Sequence, residues 1–332
     1  MEETNMSNRL FAIGEVLIDF IPHEKGKALK DVLSFERKPG GAPANVAAAV
    51  RKYGAESSII TQLGEDAFGD FLLEQLQEAG VCTKHVFRTN EANTGLAFVS
   101  LREDGERDFS FYRKPSADLL LTEDKIDENW FGEGDILHFC SVDLVESPMK
   151  KAHLKAIQSI KEKGGLVSFD PNVRLPLWDD EQACRKTILD FIPHAHLVKI
   201  SDDELPFITG IEDTEEAVHS LFKGDVKVVI VTNGSKGSDL YVNGTKYQSY
   251  PFKVEVIDTT GAGDAFIGGI LYQLLEKKAT PATVTTIFEE KYTEILAFAN
   301  ASGALTTTGK GAISSLPKKE EILSLVKSTS LK

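Results

Sequence analysis

The sequence predicts an α/β fold: a three-layer arrangement of a mostly parallel sheet flanked by helices, with a small β-layer outside it. Two observations carry this. Short apolar runs alternate with alanine-rich or amphipathic stretches along most of the chain, the order that repeated βα units produce. Two segments, residues 15–37 and 94–113, break that order with strand-like patterning.

Taken in order, Leu10-Phe11-Ala12-Ile13-Gly14 is a short apolar run closed by glycine and reads as a buried strand. Residues 42–53, rich in alanine, read as a helix, 57–63 as a strand, and 67–79 as a helix closed by Gly80. Residues 136–140, 166–170, 197–201 and 226–232 are further strands, separated by helices such as 147–163 and 179–192. Within 94–113, Leu96 and Phe98 alternate with Ala97, Val99 and Leu101, turn at Asp104-Gly105, and resume as Phe109 and Phe111 against Ser110 and Tyr112. That is a β-hairpin pattern. Residues 15–37 also look extended. The expected division is a main unit of residues 9–14, 38–90 and 116–328, and a β-lid of residues 15–37 and 91–115. The lid can cover a substrate, or serve as an edge for packing or dimerisation. The charged stretch beyond Pro317 reads as a terminal helix.

Composition narrows the partners. A formal net charge of −14 over 332 residues repels nucleic acid and anionic lipid. It leaves room for a nucleotide, which needs only one small basic pocket. Three scattered cysteines fit a reducing compartment better than a disulfide framework. The short polar start and the lack of a long apolar run make a cytoplasmic location the expectation.

The strongest chemical signal is Asp258-Thr259-Thr260-Gly261-Ala262-Gly263-Asp264. It follows an extended stretch, 250–257, and precedes a run of small and apolar residues suited to a buried helix. The glycines therefore sit at a helix N-terminus, where unpaired N–H groups and the dipole favour an anion. Asp264 falls in the first turn. A carboxylate there can take a proton from an alcohol while the amides of Gly261, Ala262 and Gly263 hold a transferring phosphoryl group. The dipole should keep it ionised. Taken alone, Asp264 can equally be an ordinary first-turn acid. A second cluster, Pro39-Gly40-Gly41-Ala42-Pro43-Ala44-Asn45, opens the first helix and offers close backbone approach plus a two-way hydrogen bonder. Asp19 is a further hydroxyl acceptor. No P-loop, dinucleotide fingerprint, protein-kinase signature or nucleophile elbow occurs. His194 and His196, if on a strand, would share a side, but no third metal ligand is apparent.

These motifs, in this order and spacing, resemble the ribokinase-like (PfkB) carbohydrate kinases, and within them bacterial fructokinases, over nearly the whole chain. The resemblance implies ATP as phosphoryl donor, Asp264 as base, and Asp19, Gly40, Gly41 and Asn45 as sugar ligands. It places Phe111 and Arg113 in the lid facing the sugar, and brings Asn172 and Arg174 towards the substrate, Arg174 towards the phosphoryl group. Lys199 and Glu204 match the segment that organises magnesium through water, with Ser201 where the family has asparagine. Thr232, Gly234 and Gly237 match the nucleotide-phosphate turn and Asn300 the adenine-side helix, where small residues for packing are the competing account. Asp258 and Thr260 match a loop that can hold potassium. The implied reaction is phosphorylation of D-fructose at O6, with a homodimer through the lid. A 2-keto-3-deoxygluconate kinase is the nearest enzyme alternative, since Phe111-Tyr112-Arg113 would suit a sugar acid, and a nucleoside kinase stands further off. A non-catalytic sugar or nucleotide sensor is the alternative of another class.

Overall fold

The βα alternation builds one large sheet. The computed structural model describes residues 8–24, 26–101 and 107–329. Its strands are β1 (Arg9–Ile13), β2 (Leu17–Pro22), β3 (Phe35–Gly40), β4 (Glu56–Gly64), β5 (Val86–Thr89), β6 (Leu96–Leu101), β7 (Arg107–Tyr112), β8 (Ile136–Cys140), β9 (Leu166–Asp170), β10 (Leu197–Ser201), β11 (Val228–Thr232), β12 (Ser238–Val242) and β13 (Thr245–Ser249). Its helices are α1 (Ala42–Tyr53), α2 (Ala67–Glu78), α3 (Pro148–Glu162), α4 (Glu181–Phe191), α5 (Glu204–Thr209), α6 (Thr214–Leu221), α7 (Ala262–Glu276), α8 (Val284–Thr306) and α9 (Lys319–Thr329).

Nine strands form the main sheet in the order β13-β12-β11-β10-β9-β8-β1-β4-β5. It is parallel except for β12 and β13, which run as an antiparallel hairpin beside β11. Helices cover both faces, so strand residues are buried on both sides. Leu10 and Ala12 pack in the core shared with α1, α7 and α8, whereas Phe11 and Ile13 join the core under α3, α4 and α6. Burial on both faces explains why the strands read as unbroken apolar runs. Strand order reverses between β1 and β8, and a sheet of this kind opens a crevice at the carboxyl ends of such strands.

The two irregular segments pair into a separate sheet of order β3-β2-β6-β7. Its register lines Lys38, Asp19, Ala97 and Phe111 across one row, so Asp19 and Phe111 share a face. The next row carries Phe20 stacked on Phe98, with Phe35 and Phe68 packed edge-on to Phe20. The turn expected at Asp104-Gly105 lies outside the described residues.

The structure departs from these expectations or adds to them at four points. Residues 250–257 form no strand, and Tyr250, Val256 and Ile257 are exposed. The β12–β13 hairpin and strand β5 were not anticipated. The long helix α8 was anticipated only around residues 299–302. His194 ends a short 3-10 helix rather than sitting on a strand, and His196 Nδ1 accepts from Val167 N at 3.0 Å. Among the described residues no three His, Cys, Asp or Glu side chains gather as a metal group.

Candidate active site

Helix α7 begins in the turn that the 258–264 motif specifies. Gly261 is its N-cap at φ 76°, and a Cβ there would lie 2.5 Å from the Ala312 Cβ, so the position requires glycine twice over. The Ala262 N–H turns back to Thr259 O at 3.3 Å, so this amide is drawn away from the anion-binding role expected of it. Asp258 braces the turn. Its Oδ1 accepts from Thr260 N and Oγ1 at 3.0 and 2.6 Å, and its Oδ2 from Gly311 N at 2.9 Å. Asp258 and Thr260 are thus joined to each other and to the loop after α8.

Asp264, in the first turn of α7, is held by Asn45 from the first turn of α1: Asn45 Nδ2 donates to Asp264 Oδ2 at 2.8 Å. Two motifs 219 residues apart meet in this one bond. Asn45 Oδ1 is buried without a partner. Burial pushes the Asp264 carboxyl above its ordinary value, while Asn45, Lys199 and Arg174 pull it back. The expectation from the helix dipole alone was incomplete, because desolvation is the larger influence.

Lys199 lies beneath the loop. Its Nζ bonds Asp170 Oδ2 at 2.9 Å, and a Cβ on Gly263 would stand 3.4 Å from that Nζ. The side chain is buried against Asp170, at the end of the neighbouring strand. Asp170 is pushed up to about 6, mainly by burial and against the pull of Lys199. Arg174 Nη1 donates to Val173 O at 2.9 Å, and its charge reaches Asp264. Asn172, just before, holds a left-handed backbone at φ 46°, a conformation that asparagine tolerates better than most residues.

Glu204 does not stand open to a metal. Its Oε1 accepts from Val173 N at 2.7 Å, and its Oε2 from Ser201 N and Oγ at 3.0 and 2.9 Å. Ser201 Oγ in turn accepts from Glu204 N at 3.2 Å. This is a capping box, and it gives Ser201 a reason to replace asparagine here. Thr232 ends β11, with Oγ1 directed at Ile200 O at 3.4 Å. Gly234 and Gly237 shape the turn into β12, and the space around Gly234 is open. Asn300 Nδ2 donates to Ser238 and Ser249 at 3.2 and 2.9 Å, tying α8 to β12 and β13.

On the sugar side, Gly41 is the N-cap of α1. Gly40 lets Asp19 lie against the backbone: a Cβ there would fall 2.2 Å from Asp19 Oδ2. Gly40→Ala is therefore expected to displace that carboxylate and raise the KM for sugar roughly tenfold or more, the worth of a lost charge-assisted hydrogen bond. The KM for ATP should hold; a parallel rise in both would show general damage instead. Phe111 lines a cavity of about 450 Å³ with Arg113. Arg113 departs from the expected lid cation, because it is buried and paired with Asp118 and Asp143.

The profile of the pfkB family carbohydrate kinases matches residues 7–319. The chain belongs to the pfkB family of carbohydrate kinases. Fructokinase-1 of Zea mays is 42% identical over 316 residues, covering 95% of this chain and 96% of its own. A fructokinase from Xylella fastidiosa, solved with bound ATP, superposes with a TM-score of 0.89 at 34% identity, covering 98% of this chain and 100% of its own. A fructokinase from Vibrio cholerae O395, solved with fructose, ADP and calcium, gives 0.86 at 34% identity over 96% and 99%. Within this carbohydrate kinase, sequence reasoning passed over Glu15, Asp118 and Asp143. Single acids in loops carry no spacing signal, and only the fold brings them together.

Proposed function

We propose that the protein transfers the γ-phosphoryl group of ATP to O6 of D-fructose. The observation that carries this is the Asn45–Asp264 bond at the head of α7, which sets a base beside helix-start amides and above Lys199. Asp264 takes the hydroxyl proton as the oxygen attacks. The amides at the start of α7, with Arg174 and Lys199, offset the charge that develops on the phosphoryl oxygens. Asp19, Gly41, Asn45 and Phe111 orient the sugar, and the four-stranded sheet excludes water as a lid. The likeness to fructokinases that hold ATP or fructose supports this acceptor.

Magnesium would be carried largely by nucleotide phosphates and water, since Glu204 already accepts three hydrogen bonds and, among the described residues, no three His, Cys, Asp or Glu side chains gather as a metal group. It would screen phosphate charge. Potassium would sit near Asp258 and Thr260, behind the loop. No helix among the described residues is long and apolar enough to cross a membrane.

ATP consumption with a panel of sugars, with and without potassium, tests the reading. Fructose should give the highest kcat/KM. Sugar binding without ATP turnover would instead establish a sensor. The sugar-acid alternative loses its main support, because Arg113 is spent on carboxylates.

A further inference from the structure

At the reversal between β1 and β8, the chain buries one cation among three carboxylates. Arg113, just past β7, has a side chain 2% exposed, and its Nη2 donates to Asp118 and Asp143, themselves 1% and 0% exposed. Ser116 Oγ donates to the other oxygen of Asp118. Glu15, just past β1, acts on both Asp143 and Arg113 through its charge. Its Oε1 accepts from Ala42 N at 2.9 Å. Glu15 Oε2, Asp143 Oδ2 and Arg113 Nε are buried without hydrogen-bond partners. Burial lifts the Glu15 and Asp143 carboxyls to about 8 and about 7.

The cluster stands where an acceptor belongs. The crevice of an open α/β sheet lies at this strand reversal. Glu15 holds the first turn of α1, the same turn that presents Asn45 to Asp264. Arg113 and Phe111 share the wall of one cavity with Trp178; Lys114, Lys150 and Lys186 also line it, the last two paired with Glu146 and Asp190.

We infer that Asp118 and Asp143 set acceptor specificity: by taking up the charge of Arg113 they make the lid end of the crevice reject sugar acids and admit neutral sugars. The inference rests on the neutral-ketose reading above. A buried guanidinium with free donors is a bidentate receptor for carboxylate. One already bridged by two carboxylates offers an incoming third mainly like-charge repulsion.

Initial rates for D-fructose and 2-keto-3-deoxy-D-gluconate test it, together with the Ki of D-gluconate against fructose. At pH 8, above the value of about 7 that Asp143 holds, Asp143→Asn removes a negative charge, and the fructose-to-acid ratio of kcat/KM is expected to fall at least about tenfold, and the gluconate Ki to fall likewise. Asp118→Asn provides the same reading if Asp143→Asn does not fold. Adding Arg113→Gln to the responding variant should return the ratio towards its starting value, which structural damage would not do. Variants that turn over fructose with an unchanged ratio overturn the inference alone. An unmodified enzyme that favours the sugar acid overturns both the inference and the fructose reading.

Discussion

Asp264→Asn is expected to lower kcat by between about 10² and 10⁴-fold, the range for loss of a positioned general base, with ATP affinity nearly unchanged. The substitution keeps the shape of the side chain and its neighbour Asn45, so the loss isolates proton removal. The pH profile gives a second check. Burial holds the Asp264 carboxyl above its ordinary value, so the unmodified enzyme should gain kcat/KM as pH rises through that raised value and then level off. Asn45→Ala removes a bond that lowers it. The acid limb should therefore move to higher pH in that variant and vanish in Asp264→Asn. An Asp264→Asn enzyme within tenfold of its parent would remove Asp264 from the mechanism.

The middle of the parallel sheet was legible because its strands are buried on both faces, so β8, β9 and β10 stand out as apolar runs of a fitting length. The loop at 258–264 was legible for a different reason: it is contiguous in the chain, and its Gly261 is demanded by a positive φ and the close approach of Ala312. Hairpin β12–β13 had its own signal, Asn243-Gly244, both with positive φ. It was passed over because the half-exposed strand β13 shows little apolar content. What the sequence could not show is how donors are spent. Arg113, Asn300 and Glu204 have the right chemistry for ligands, yet their partners come from residues 3 to 62 positions away. Only the fold reveals that those bonds are already made.

Lys199→Met is expected to cost about 3–5 kcal/mol of stability at pH 8, the penalty for leaving one partner of a buried ion pair uncompensated. The loss should depend on pH in a definite direction. Asp170 already sits near 6 beside Lys199, raised by burial and pulled down by that ammonium. Without Lys199 its folded value rises further, while the unfolded chain keeps the ordinary carboxylate value. Between the two values the folded state holds a proton that the unfolded state has lost, so the variant gains stability as pH falls through the raised value. Thermal melts of both proteins at pH 8 and pH 5.5 check this: the deficit should shrink at the lower pH. Equal deficits would mean that Lys199 contributes through packing alone. Activity should respond too, since Lys199 lies under Gly263 and lowers the Asp264 carboxyl. Its removal should shift the acid limb of kcat/KM upward, in the same direction as Asn45→Ala, but with a loss of stability that the surface of the loop cannot explain. One buried ammonium thus couples the ionisation of the base to the stability of the β9 and β10 strand ends beneath it.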